Sequence, residues 1–328
     1  MEPTLGRSKS LPIKPEENQP EAAAPGPVSP GPQGLKKGGL LSWLKRRYAL
    51  WLLLFPAYGW LAFAILAPLL IMLVFSFLSD VPFGNRVAVL TLENYSTYFS
   101  KGFYWTLTSK ALKTGLYTTV FCLLIAYPMA LVIAKVIPGR WRSALFMLVI
   151  VPFWSNTLVR LYSWAIVLRN GGVIDLFMQF LGFKPGAIEL LYTYPAIVIG
   201  LVHGYVPYMI LTLYIALDRI DNSLLEAAAS LGASKWQSFW RIMFPLSMPG
   251  IISGAILIFI PSIGSFIEPR LLGGRSGTMI GTVIEDQFIQ LFNWPFGAAL
   301  SFIMLLIVLL LMGLMALLLS RMRLLRSE

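Results

Sequence analysis

The chain is poor in the residues that soluble catalysts rely on: among 328 residues there is one cysteine, one histidine and only 12% charged side chains. Cys122 alone can form no internal disulfide and no paired-thiol metal or redox motif, and in its apolar run it is expected to pack as a small hydrophobe. His203 has no second histidine at ligand spacing and is read as a packing residue, not a metal ligand. A soluble domain carries about 25% charged residues, and half that density cannot coat a water-facing globule of this size. The chain is therefore read as a membrane protein. No GxxxxGK[ST] phosphate loop occurs, and the run from Gly273 to Gly277 lacks the lysine that would meet a phosphate, so the chain supplies no ATP site and no bound cofactor of its own. Lys and Arg number 26 against 15 Asp and Glu, a net charge of +11. They are not grouped beside aromatic strands, which argues against a nucleic-acid partner.

What the sequence does contain divides into a tail and a membrane domain. The first 38 residues hold eight of the 22 prolines and almost no large apolar side chain. Such a segment cannot offset its ordering entropy, so residues 1–39 are predicted to be a disordered Pro/Gly-rich cytoplasmic tail, without the apolar run of a signal peptide. Residues 40–328 are predicted to form an all-α, polytopic membrane domain. Six stretches are long enough for the ~20 residues that cross a bilayer: 49–77, 114–134, 143–168, 190–217, 249–267 and 294–320. Prolines at 56, 68, 128, 152, 207 and 261 imply kinked helices packed in a bundle. Orientation follows from Lys and Arg near the span ends. Lys36, Lys37, Lys45, Arg46 and Arg47 precede the first stretch, Lys135, Arg140 and Arg142 follow the second, and Arg321, Arg323 and Arg326 follow the last. With six spans all three groups share one side, so both termini are predicted to be cytoplasmic.

One cytoplasmic loop, about 218–248, is long. Ser223 and Glu226 fit a helix-starting capping box, Ser234 and Gln237 fit a second, and Gly232 between them suits a left-handed helix end. Trp236, Phe239, Trp240 and Met243 then fall on one apolar stripe, until Pro245 is expected to interrupt the helix. Glu226, Ala227 and Ala228, then Gly232, Ile242 and Pro245, reproduce the spacing EAA, three residues, G, nine residues, I-x-L-P, with Phe244 at the usual leucine. This pattern resembles the EAA loop of bacterial ABC importer permeases. The resemblance implies a six-helix, type I-like permease fold in the cytoplasmic (inner) membrane and a loop that docks on a separate ATPase subunit, where ATP binds. It also implies two ATPase subunits, a second similar permease and an extracytoplasmic solute-binding protein as partners, and no catalytic residue in this chain.

Further stretches resemble the spermidine/putrescine branch of that family, including Val151 to Asn156, Leu158 to Tyr162, Leu271 to Gly274 and Asn293 to Gly297. Many polyamine members carry a carboxylate beside the phenylalanine that follows the fifth span's glycine. Here the acid, Glu268, stands three positions later and is followed by Arg270, which keeps an opine, amino acid or other nitrogenous cargo as an alternative. A stand-alone secondary transporter is a further alternative, and it leaves the EAA loop without a purpose. Ammonium groups need carboxylates or aromatic faces. The substrate-path candidates are accordingly Trp154, Tyr162, Trp164, Tyr205, Tyr208 and Glu268, against an interfacial or packing role for each aromatic and an Arg270 ion pair for Glu268. Arg160, the one strong charge inside a stretch, lies 18 residues beyond Arg142, or about 27 Å along a straight helix. That depth suits either a snorkelling side chain or a gate.

Overall fold

The structure, a computed structural model, describes residues 40–80 and 88–324. The predicted tail, 1–39, lies outside the described residues. The chain divides into a unit ending at Ala62 and a larger unit from Phe63 onward. The described part of the first unit is helical from Leu40, the start of α1 (Leu40–Ser76). The larger unit contains α2 (Glu93–Ser100), α3 (Gly102–Leu131), α4 (Gly139–Ile150), α5 (Thr157–Leu168), α6 (Val173–Phe180) and α7 (Tyr194–Asp218). It continues with α8 (Asn222–Ser230), α9 (Lys235–Ser238), α10 (Phe244–Gly264), α11 (Ile267–Gly273), α12 (Ile280–Ile289) and α13 (Trp294–Leu324).

Among the described residues five helical runs are long and apolar enough to cross a membrane: Leu54–Ser76, Gly102–Val136, Tyr194–Asp218, Lys235–Gly264 and Trp294–Leu314. The predicted stretch 143–168 is the exception. It falls in α4 and α5, two helices of 12 residues each, which rise about 18 Å apiece. A 3₁₀ turn over Val151–Trp154 separates them, containing Pro152, which has no amide hydrogen to give the ladder. Asn156 then caps α5 by accepting the Leu158 N–H at 2.8 Å. Arg160 therefore stands in the first turn of a new helix, and the depth counted along a straight one does not apply.

Helices α3, α7 and α10 pack together around Cys122, Ala126, Met209, Ile210, Leu213 and Ile258, all at most 1% exposed. Cys122 is buried as expected, its thiol 3.7 Å from the Val202 carbonyl. The close approach of α7 and α10 depends on two glycines one turn apart. A methyl at Gly250 would overlap Ala216, and one at Gly254 would overlap Met209 and Thr212. Prolines 128, 207, 249 and 261 stay inside their helices. Pro245 likewise does not end its helix. The ladder widens to a π turn over Phe239–Met243 and resumes as α10, so α9 and α10 form one run from Lys235 to Gly264. A π turn accommodates the hydrogen bond a proline cannot make without breaking the helix.

Candidate functional site

Helix α8 carries Glu226, Ala227 and Ala228 and buries none of its residues. A nine-residue helix is unstable alone in water, so its ends must hold it. The cap is Asp221, which accepts the Ser223 N–H at 2.9 Å, and not Ser223 as expected. The aspartate oxygen wins because it already stands one residue before the first helical turn. Bonds from that amide and from the Ser223 hydroxyl, with Lys135 nearby, hold the Asp221 carboxyl below the usual range. At the other end Gly232 adopts φ +81°. Its N–H reaches the Ala229 carbonyl at 2.9 Å and the Ala233 N–H reaches that of Ala228 at 3.0 Å, the two bonds of a Schellman turn. The second capping box is present as expected, with Ser234 Oγ accepting from Gln237 N at 3.2 Å and Gln237 Oε1 accepting from Ser234 N at 2.9 Å.

The hairpin α8–α9 exposes Leu231, Trp236 and Trp240 while tying its base to the bundle. Lys135 Nζ donates to the Ile220 carbonyl at 2.5 Å and to Asn222 Oδ1 at 3.0 Å. Arg142 pairs with Asp218 at 2.8 Å. Two of the residues that set the predicted orientation are thus also braces for the loop. Trp236, Phe239, Trp240 and Phe244 pack ring against ring, and Phe239 meets Tyr127 of α3 edge-on at 5.6 Å. Ile242 and Pro245, half-buried, lie at the junction of this aromatic cluster with α10.

The substrate-path candidates separate into two cavities and two exposed positions. Arg160, Tyr205, Tyr208 and Glu268 come together on a cavity of about 550 Å³ between α5, α7 and the α10–α11 link. Ser265 Oγ donates to Glu268. Arg270 does not pair with Glu268; it bonds Glu285 and, at 2.6 Å, Asp286 on α12, and chiefly the Asp286 bond pushes its pKa further up. The Tyr205 and Tyr208 rings stand 6.3 Å apart. Trp164 instead lines an apolar cavity of about 740 Å³ with Tyr117, Phe121, Tyr194 and His203, and its ring meets His203 edge-on at 5.4 Å. Trp154 is 90% exposed and Tyr162 58%, and both lie away from these cavities.

Residues 126–324 match the family described as binding-protein-dependent transport system inner membrane component. The chain belongs to this family. The permease is 39% identical to the spermidine/putrescine transport system permease protein PotB of Haemophilus influenzae, over 74% of this chain and 85% of that one. It is 40% identical to PotB of Escherichia coli, over 74% and 88%. It is 30% identical to the inner membrane ABC transporter permease protein YdcU of Escherichia coli, over 85% and 93%. Its fold is similar to a chain in the crystal structure of a bacterial ABC transporter that imports alginate, with a TM-score of 0.62 at 20% identity, over 83% of this chain and 96% of that one. The protein is thus a multi-pass component of the inner membrane with an ABC permease fold.

Several contacts in the permease have no counterpart in the sequence reading. Helix α3 begins at Gly102, twelve residues before the charge-free stretch, and so brings Lys110 into the helix. Its Nζ donates to the carbonyls of Ser276 at 2.5 Å and Thr278 at 3.1 Å, fastening the turn between α11 and α12. Asp175 accepts the N–H groups of Gly171 and Gly186, each at 2.9 Å, which with Gln179 hold its carboxyl below the usual range. The Lys110 acceptors are carbonyls of a turn far along the chain, which no local spacing announces.

Proposed function

We propose that this chain is a membrane-spanning permease subunit of an ATP-driven importer of polyamines, putrescine or spermidine. The observation that carries the reading is the roughly 40% identity to two PotB permeases over most of both chains. Both termini face the cytoplasm, and the transporter is completed by ATPase subunits, a second similar permease and an extracytoplasmic solute-binding protein. ATP is hydrolysed on the ATPase subunits, and this chain carries out no covalent chemistry.

The α8–α9 hairpin, with Glu226, Ala227, Ala228, Gly232, Ile242 and Pro245, docks on the ATPase. A helix that buries none of its residues leaves an open side wall for a partner groove. Closure of the ATPase would displace the hairpin, and the run from Lys235 to Gly264, 30 residues or about 45 Å, reaches directly to Ser265 and Glu268 at the cavity. Glu268 offers the one carboxylate there and Tyr205 and Tyr208 offer π faces. Cation–π contacts are worth about 0.5–2 kcal/mol, weak enough for a substrate that must move on. Arg160, which lines the same cavity, repels a second ammonium group, so the cavity holds a polyamine by one end. The remaining aromatics, Trp154, Tyr162 and Trp164, serve the lipid boundary and packing.

Proteoliposomes carrying the permease pair and the ATPase, supplied with the binding protein, test the proposal. ATP-dependent accumulation of radiolabelled putrescine or spermidine is expected, and accumulation of amino acids or opines with no polyamine uptake would overturn it.

A further inference from the structure

Helix α6 is amphipathic in the sense opposite to a helix in water. Its inner side carries Asp175, 7% exposed and bonded to Gly171, Gly186 and Gln179. Its outer side carries Val173, Leu176, Phe177 and Phe180, spaced i, i+3, i+4 and i+7 and each at least 57% exposed. Leu181 and Phe183 extend the same open surface. A water-facing helix sorts these two sets the other way, and an apolar surface of this extent marks a contact.

The contact cannot be that of a membrane span, since eight residues rise about 12 Å against ~30 Å of hydrocarbon. Chain connectivity sets the depth of α6. Gly172 N–H bonds the Arg169 carbonyl at 2.8 Å in a tight turn directly after α5, and Leu191 N–H bonds the Leu168 carbonyl at 3.3 Å, pinning the far end of the loop to the end of α5. Helix α6 therefore sits at the level where α5 ends. Two exposed cations, Arg169 and Lys184, flank the stripe. Of the loop's carboxylates, Asp175 is bonded inward, and Glu189, also exposed, accepts from the Asn170 amide at 3.2 Å.

We propose that α6 is an in-plane membrane anchor. Its Val173, Leu176, Phe177 and Phe180 stripe lies in the acyl boundary of the leaflet at which α5 ends, and Arg169 and Lys184 meet anionic headgroups. A solute-binding protein that comes and goes would leave this stripe in water between visits, whereas lipid covers it at all times. The anchor also braces the cavity, because the loop's last residues bond α11: Tyr192 N–H reaches the Leu272 carbonyl at 2.9 Å, four residues from Glu268.

Spin labels placed singly through Phe177→Cys, Phe180→Cys and Lys184→Cys test this in the assembled transporter, in nanodiscs containing phosphatidylglycerol. Cys122 is fully buried and does not compete for label. Labels at 177 and 180 are expected to collide with oxygen and to be shielded from a water-soluble nickel chelate, with an oxygen-to-nickel ratio at least fivefold above that at 184. Nickel access at 180 equal to that at 184 would place α6 in water and overturn the anchor. An immobilised label shielded from both reagents would assign the stripe to a protein partner and overturn it equally. Polyamine uptake is a separate readout, so loss of the anchor and loss of the transport reading remain distinguishable.

Discussion

The hydroxyl oxygens of Tyr127 and Ser247 lie 2.9 Å apart in a buried seam between α3 and α10, one helical turn beyond the π turn that ends the hairpin. Phe239 of that π turn packs edge-on against the same tyrosine ring. A movement of the hairpin thus reaches α3 through the Phe239–Tyr127 contact and α10 through the continuous helix. Tyr127→Phe should lower stability in detergent by about 1 kcal/mol, the usual worth of one such bond, because Ser247 keeps its bond to the Phe244 carbonyl at 2.9 Å. Thermal unfolding of Tyr127→Phe, Ser247→Ala and the double variant checks it. Losses that simply add would mean the two hydroxyls are not coupled.

Gly232 holds φ +81° at the hairpin turn. A β-branched side chain is strained there by about 1–2 kcal/mol, whereas asparagine tolerates the left-handed region. Gly232→Val should abolish uptake and substrate-stimulated ATPase activity with membrane insertion intact, and Gly232→Asn should retain most of both. Equal uptake by the two variants would remove the turn from the coupling argument.

Asp221 caps α8 as a carboxylate with a depressed pKa. Its stabilisation is therefore fully present above the unfolded carboxyl value and is lost only as pH falls through the lower, folded value. Amide exchange at Ser223 to Ala227 should be insensitive to cap titration between pH 6 and 8 in the wild type. It should rise in Asp221→Ala and remain near wild type in Asp221→Asn, which still offers an acceptor oxygen. Hydrogen–deuterium exchange read by mass spectrometry decides the matter.

Glu268 is held at the cavity by Ser265, with Arg270 engaged by Asp286 and Glu285. Glu268→Gln keeps the shape and removes the charge, and it should reduce polyamine uptake at least tenfold while the transporter still assembles. Ser265→Ala, which frees the carboxylate without neutralising it, should cost less. Uptake assays on both variants, normalised to assembled complex, would reject the assignment if Glu268→Gln transported normally.

The hairpin was legible in the sequence because its determinants are local. Ser234 with Gln237, and Gly232 after a run of helix formers, act within one turn of chain, and each does what its spacing indicates. The cap at Asp221 was misplaced by two residues because two adjacent oxygens could serve and only backbone geometry chooses. The substrate-path candidates do not form one group: four line one cavity, one lines another and two are exposed outside both. Arg160 and Trp164 share a face of α5 but stand one turn apart, which puts them on different cavities, and helix phase leaves Tyr162 outside. Lys110 was invisible, since its acceptors are backbone carbonyls more than 160 residues away.

The sequence by itself determined that this chain belongs in a membrane, since 12% charge cannot cover a soluble surface, and that one loop carries a capped helical hairpin. Both properties are sums over composition or consequences of bonds within a few residues. Only the tertiary structure decided that Glu268 answers to Ser265 while Arg270 answers to α12, that α9 and α10 run through Pro245 as one rod, and that α6 turns its apolar side outward. Those outcomes depend on which helices meet and on where the backbone leaves an acceptor unpaired, and side-chain spacing along the chain does not carry that information.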